Sequence, residues 1–277
     1  MTVQDILIAN RPTLSAGSIK TYLSLIKSVS KLIKMEIDTP KVVIDHHQTI
    51  IDALKDQAPV SRKGKLSALL VFIEKDPAAA EIVDRFRKLM IDDIKSVESD
   101  EEKQELTDRQ KEGFVPWKEI MDKYKALKAD AEVIMKNDQL DRDQFQKVML
   151  YVLLSCMVLI APRRSLDWCD FKIRNTDDQS NYLLREGRKH FLIFNSYKGS
   201  NRKGQQRVEC PAALAKIITR WTAINPHDWM LVGVTQKNKL TSTSITHLLH
   251  DFFQKPISTS MLRHIFLSKM YAGTPAY

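Results

Sequence analysis

Apolar residues recur at helical spacing along most of the chain. Over residues 14–35, Ile19, Tyr22, Leu23, Ile26, Val29 and Ile33 fall three or four apart. That spacing predicts a helix with one apolar face, carrying Lys20, Lys27, Lys31 and Lys34 on the remainder and Ser15 or Ser18 as its cap. Thr39-Pro40 reads as the end of this unit. Residues 44–54 predict a second helix and 55–59 a break. Ser61-Arg62-Lys63-Gly64-Lys65 then precedes a third apolar run over 66–73. Pro77 can open a fourth helix holding Ile82, Val83, Phe86, Leu89, Met90 and Ile94. Residues 1–96 are thus expected to form a helical bundle.

Residues 97–113 carry charges of mixed sign and little that could be buried, which predicts a linker. The apolar pattern restarts at Phe114-Val115-Pro116-Trp117, with Trp117, Ile120, Met121 and Tyr124 suited to a helix entered after Pro116. Residues 143–160 are apolar around most of a helical circumference and predict the most buried helix of the chain, closed by Ala161-Pro162. Beyond Trp168 the period shortens. Residues 171–173, 182–184, 190–194 and 206–209 read as short strands separated by turns at Asp177-Asp178, Gly187 and Gly199 to Gly204. Helices resume over 212–224, 241–253 and from Ser260 onward, with an extended piece at 228–232. The fold class that follows is mostly α with a small antiparallel sheet. It comprises a helical domain over 1–96, a linker over 97–113 and a mixed domain over 114–277.

Composition adds one bias. In 277 residues, 43 Lys and Arg stand against 34 Asp and Glu, a formal charge of +9 that favours a polyanionic partner without specifying a fold. Cys156, Cys169 and Cys210 are widely spaced and odd in number, so neither a disulfide framework nor a CxxC site can be read, and a reducing intracellular compartment is the simplest setting. The longest apolar stretch, 148–161, is shorter than a bilayer requires, so no membrane partner is expected. His247 and His250 lack further ligands at diagnostic spacing, and neighbours His46 and His47 diverge around a helix, so no metal is expected.

Candidate chemistry is cationic. Two adjacent arginines, Arg163 and Arg164, end a buried helix, where a guanidinium must find a partner or water. Asp167 is close enough to orient or pair with one of them. The turn Tyr197-Lys198-Gly199-Ser200-Asn201-Arg202-Lys203-Gly204 is a basic hairpin that lacks the GxxxxGK[ST] spacing of a nucleotide loop. In the stretch from Ser260 to Tyr271, Leu262, Ile265, Phe266 and Met270 share a helical face, and Arg263 is expected in the first turn, where helix N–H groups favour an anion. Lysines and arginines at Lys27, Lys31, Lys34, Arg62, Lys63 and Lys65, with Arg202 and Lys203 on the hairpin, could contact DNA phosphates, or could simply be a solvated basic face.

The order of these parts resembles the tyrosine recombinase/integrase family, which is related to type IB topoisomerases. The resemblance covers nearly the whole chain: a helical core-binding domain followed by a mixed catalytic domain. Ala161-Pro162-Arg163-Arg164-Ser165-Leu166-Asp167-Trp168 looks like the first arginine motif, with Arg164 in the catalytic place and Asp167 as its supporting acid. Lys198 falls at the hairpin lysine, and Leu262-Arg263-His264 at the core of the second arginine motif, with His264 a candidate support. The family's leading histidine is replaced by Ser260, which cannot act as an imidazole acid or base.

The resemblance implies attack of a tyrosine oxygen on a DNA phosphodiester, giving a 3′-phosphotyrosyl link and a free 5′-hydroxyl, with no metal or nucleotide cofactor. The partner would be double-stranded DNA, with self-association into a tetramer on it. The family's nucleophilic tyrosine lies well beyond the second arginine, whereas this chain runs only 14 residues past Arg263. Tyr271 would stand two turns away, roughly 12 Å along the axis, and Tyr277 at the chain end. The expectation is a chain truncated before its tyrosine-bearing helix, binding DNA but cleaving little. The alternatives are an inactive DNA-binding or architectural protein on the same fold, a type IB topoisomerase, and a helical protein-binding scaffold.

Overall fold

A computed structural model describes residues 1–102, 108–137, 139–233, 235 and 238–271. The chain divides into two compact units, Met1–Glu105 and Leu106–Tyr277. The division falls inside the expected linker, whose first part continues a helix through Glu102 and whose last part is the short helix Asp108–Gly113.

The first unit is all helical. It opens with α1 (Val3–Asn10), which the apolar pattern did not predict because only Leu7 of its residues is buried. Thr2 caps it in a reciprocal box with Asp5. Ser15 caps α2 (Ala16–Ile33), which ends at Lys34 in a left-handed conformation. The helix expected over 44–54 is two, α3 (Pro40–Asp45) and α4 (His47–Leu54), and Pro40 starts α3 rather than ending a unit. Pro59 likewise opens α5 (Pro59–Ile73), so Ser61 to Lys65 are helical and not a lead-in. A single turn at Pro77–Ala79 precedes α6 (Ala80–Glu102). Ile26, Val29, Val43, Ile50, Leu69, Phe72 and Phe86 form the core.

The second unit begins with α7 (Asp108–Gly113) and α8 (Trp117–Ile134), entered at Pro116. Asp141 boxes the start of α9 (Arg142–Val158), most of whose residues are buried. After Pro162 comes α10 (Ser165–Cys169). Three strands follow, β1 (Tyr182–Glu186), β2 (Lys189–Phe194) and β3 (Gln206–Glu209), antiparallel in the order β1-β2-β3. The strand expected over 171–173 is absent as such: only Lys172 forms bridges, to Tyr182 and Trp229. Between β2 and β3 lies a helical turn, α11 (Ser200–Lys203), bracketed by Gly199 at φ +96° and Gly204 at φ +67°, angles that disfavour any side chain. Helices α12 (Ala212–Ile224), α13 (Ser242–Phe253) and α14 (Thr259–Tyr271) complete the unit. Trp168, Phe171 and Phe194 pack edge to face or tilted in its core, and Trp221 packs on Phe145.

The architecture is therefore mostly α-helical with one small antiparallel sheet. Among the described residues, no helix is long and apolar enough to cross a membrane and no cluster of acidic, His and Cys side chains could hold a metal ion.

Candidate anion site

Three segments of the second unit converge on one hollow of about 180 Å³. Pro162, Arg163, Arg164 and Asp167 come from the α9–α10 corner, Tyr197, Lys198, Lys203 and Gln206 from the β2–β3 hairpin, and Arg263 from α14. Its wall is mostly polar.

Local chemistry explains why the corner and α14 meet. Arg164 sits at the N-cap of α10 but provides no side-chain cap. The first N–H of that helix, on Ser165, instead donates to Thr259 Oγ1 (3.1 Å), and the Ser165 and Thr259 hydroxyls pair at 2.9 Å. Thr259 is buried, so this is an internal clamp between the arginine corner and the start of α14. Residues four apart share a helix face, so Thr259 in the clamp carries Arg263, one turn on, to the hollow. Ser260 and His264 form the next such pair, rotated away. Both are exposed and neither lines the hollow, which corrects their assignment as supports. Arg263 is also the fifth residue of α14 and not in its first turn, so the helix N-terminus does not act through it.

The hairpin is tied to the same corner. Buried Asn181 donates to Asp167 O and to Ser196 O, each at 2.8 Å, while its Oδ1 accepts from Asn195 N (2.9 Å) and Ser196 N (2.8 Å). Tyr197 Oη donates to Gly204 O at 2.8 Å, closing the loop that carries Lys198, Arg202 and Lys203. These three are exposed; Lys198 and Lys203 line the hollow and Arg202 does not.

The two neighbouring arginines have different partners. Arg163 Nε donates to Asp167 Oδ2 at 3.0 Å and its Nη1 to Gln206 Oε1 at 2.9 Å. Its guanidinium lies 3.7 Å over the Phe194 ring and 5.3 Å from that of Tyr197. Asp167 therefore pairs with Arg163, whereas the motif pointed to Arg164. Its other oxygen, Oδ1, is buried with no partner among the described residues. The side chains of Arg164, Lys198 and Arg263 have neither hydrogen bond nor ion pair among the described residues. Burial, and then the adjacent Arg164, hold the Arg263 guanidinium below its ordinary value, with Arg163 adding repulsion and Asp167 opposing it. Such a receptor can take an anion with several oxygens, since two unpaired planar forks present directional donors.

Thr259, Ser165, Asn181 and Gln206 escaped the sequence reading. Arg163 was visible beside Arg164, but only the hairpin's position reveals its partners. The side chain of Tyr271 and all of Tyr277 lie outside the described residues.

In the first unit the expected phosphate contacts separate into two groups. Lys27, Lys31, Lys34 and Lys63 are exposed. The first three rim an apolar hollow of about 560 Å³ floored by Leu23, Ile26 and Ile37, too apolar for a phosphate site. Arg62 and Lys65 are corrected. Arg62 is held by the fully buried Asp93 carboxylate (Nε to Oδ1, 2.9 Å) and donates to Lys55 O (2.8 Å). Lys65 is buried, bonded to Gln57 and to Ser61 Oγ (3.2 Å). Packing of α5 on α6 turns Arg62 inward onto Asp93, and Lys65 folds back over its own helix start to Gln57 and Ser61.

Fold and site together define a two-unit, mostly helical protein with a cationic receptor built from three segments of its second unit. Comparison with protein-family models and with curated proteins returns no match.

Proposed function

We propose that the hollow holds a DNA phosphodiester and that the protein belongs to a DNA strand-transfer system of the tyrosine recombinase/integrase type. One observation carries this reading. Arg164 and Arg263, 99 residues apart in sequence, line the same hollow, with no side-chain hydrogen bond or ion pair among the described residues, beside Lys198 of a hairpin. In the reaction Arg164 and Arg263 clamp the non-bridging oxygens, where charge builds as a tyrosine oxygen attacks phosphorus. The bond to the 5′-oxygen breaks, and Lys198 gives that oxygen its proton. A second strand's 5′-hydroxyl reverses the step. The exposed lysines of the first unit supply sequence-independent contacts to the duplex.

A second reading has its own support. Among the described residues no histidine lines the hollow, and Ser260 stands outside it, which favours an architectural protein that grips the backbone without cutting it.

Nicked suicide duplexes incubated with the protein expressed from its complete reading frame distinguish the two. A covalent protein–DNA product that disappears in Arg263→Ala supports strand transfer. Duplex affinity unchanged in both Arg164→Ala and Arg263→Ala, with no covalent product, refutes it and favours the architectural role.

A further inference from the structure

Arg163 has no place in the chemistry just described, yet it is the most constrained side chain at the hollow. Its Nε is committed to Asp167, its Nη1 to Gln206, and its face to Phe194 and Tyr197. Phe194 ends β2 and Gln206 begins β3, so these contacts grip both ends of the segment carrying Lys198 and Lys203. Asp167 lines the same hollow as Arg164 and Arg263 and is the single carboxylate there among the described residues. A carboxylate so placed competes with any anion for the nearest guanidinium.

We propose that Arg163 is the positioning residue of the anion site: it occupies Asp167 and anchors the hairpin, and so leaves Arg164 and Arg263 open to the anion. The inference rests on the anion-site reading above. Two features support it. Asp167 Oδ2, the oxygen with a partner, is the one facing Arg163, and no bond joins Asp167 to Arg164 or Arg263 through their side chains. The Arg163 contacts run to both the acid and the hairpin, whereas a direct anion ligand would keep its fork unoccupied, as its two neighbours do.

A double-mutant cycle read by inorganic phosphate binding tests this, with arginine Nε–H signals observed by NMR on the whole chain. The expected pattern is non-additive. Asp167→Asn changes phosphate affinity less than about threefold when Arg163 is present, because Arg163 holds the Asp167 carboxylate through Oδ2 and offsets its charge. In Arg163→Ala, which should bind phosphate at least tenfold more weakly, the same change restores most of the loss. Arg163→Lys, which can still pair with Asp167 and is the milder variant for folding, should bind within about threefold of the parent. The Arg163 Nε–H should exchange slowly and ignore phosphate, while those of Arg164 and Arg263 become protected on binding. An equal Asp167→Asn factor in both backgrounds, or an Arg163 signal titrating together with the other two, overturns the proposal. Absence of any phosphate response at Arg164 and Arg263 refutes the anion site itself. Fast exchange at Arg163 with an intact phosphate response refutes the positioning role alone.

Discussion

Removing the Thr259 hydroxyl tests whether the clamp at the head of α14 builds the site. Thr259→Val keeps the shape of a buried side chain and deletes its one oxygen. That oxygen accepts from Ser165 N and pairs with Ser165 Oγ, and α10 has no side-chain cap of its own. The substitution therefore strands a buried N–H and a buried hydroxyl. Leaving such groups unsatisfied costs about 1–3 kcal/mol, so a loss near 2 kcal/mol is expected. For a unit of this size that corresponds to a fall in Tm of roughly 4–8 °C. Thr259→Ser keeps the oxygen and loses one methyl, about 1 kcal/mol or less. All four tryptophans (Trp117, Trp168, Trp221 and Trp229) lie in the second unit, so intrinsic fluorescence during denaturation reports on it alone. Thr259→Val should also weaken phosphate binding, since Arg263 follows the clamp by one turn. The reasoning fails if Thr259→Val and Thr259→Ser unfold within about 1 °C of each other.

Four further outcomes are expected. Arg62→Ala should destabilise the first unit by about 3–5 kcal/mol, because the fully buried Asp93 carboxylate loses its cation, as read by hydrogen exchange in α5 and α6. By contrast, Lys27→Ala and Lys31→Ala should lower the salt dependence of duplex binding while leaving that exchange unchanged. Arg263→Met should raise the thermal stability of the second unit, since burial and Arg164 both disfavour the charge, yet weaken phosphate binding by roughly 10- to 100-fold in calorimetric titration. Burial, and then Arg185, hold His190 below the ordinary histidine value. The unfolded chain thus binds the proton more readily, so the penalty is absent well above about pH 6.5, grows as pH falls from there and levels off below the folded value. Fluorescence-monitored denaturation should show the second unit losing more stability between about pH 7.5 and 5 in the parent than in His190→Gln.

The helices were legible where one face is apolar, as in α2, α8, α12 and α13, or where most of the circumference is, as in α9, and so were three of the four expected strands. Periodicity failed where a proline starts a helix. Pro40 and Pro59 read as breaks, although a residue lacking N–H fits a first helical turn, where that donor has no internal partner. It also missed α1, too short to show a stripe. Arg164, Lys198 and Arg263 could be selected as candidates from residue type and order. Partner choice could not, because it depends on contacts across long separations: Thr259 with Ser165, Arg163 with Gln206, Asn181 with Ser196. The same lack of three-dimensional information made Arg62 and Lys65 look like surface cations, since a basic run does not reveal which of its members turn inward against Asp93 and Gln57.

The arrangement of charge in the second unit is hard to explain by stability alone. Arg163, Arg164, Lys198, Lys203 and Arg263 share a lining with one carboxylate, and that carboxylate is already engaged by Arg163. Repulsion between Arg164 and Arg263 accompanies partial burial of both, and neither side chain recovers it through a hydrogen bond or ion pair among the described residues. Exposed cations could simply separate into solvent. Here the Thr259–Ser165 clamp and the Asn181 hub hold their backbones together, using hydrogen bonds that themselves carry no charge. Neutral scaffolding that brings together unpaired like charges fits the proposed anion site, because the cost of assembling the donors would then fall on folding and not on binding. A diffuse counter-ion would screen such a cluster but would need no particular geometry. Two guanidinium forks and a hairpin lysine converging from separate segments instead suit an anion with several oxygens at fixed angles, as the proposed phosphodiester would be.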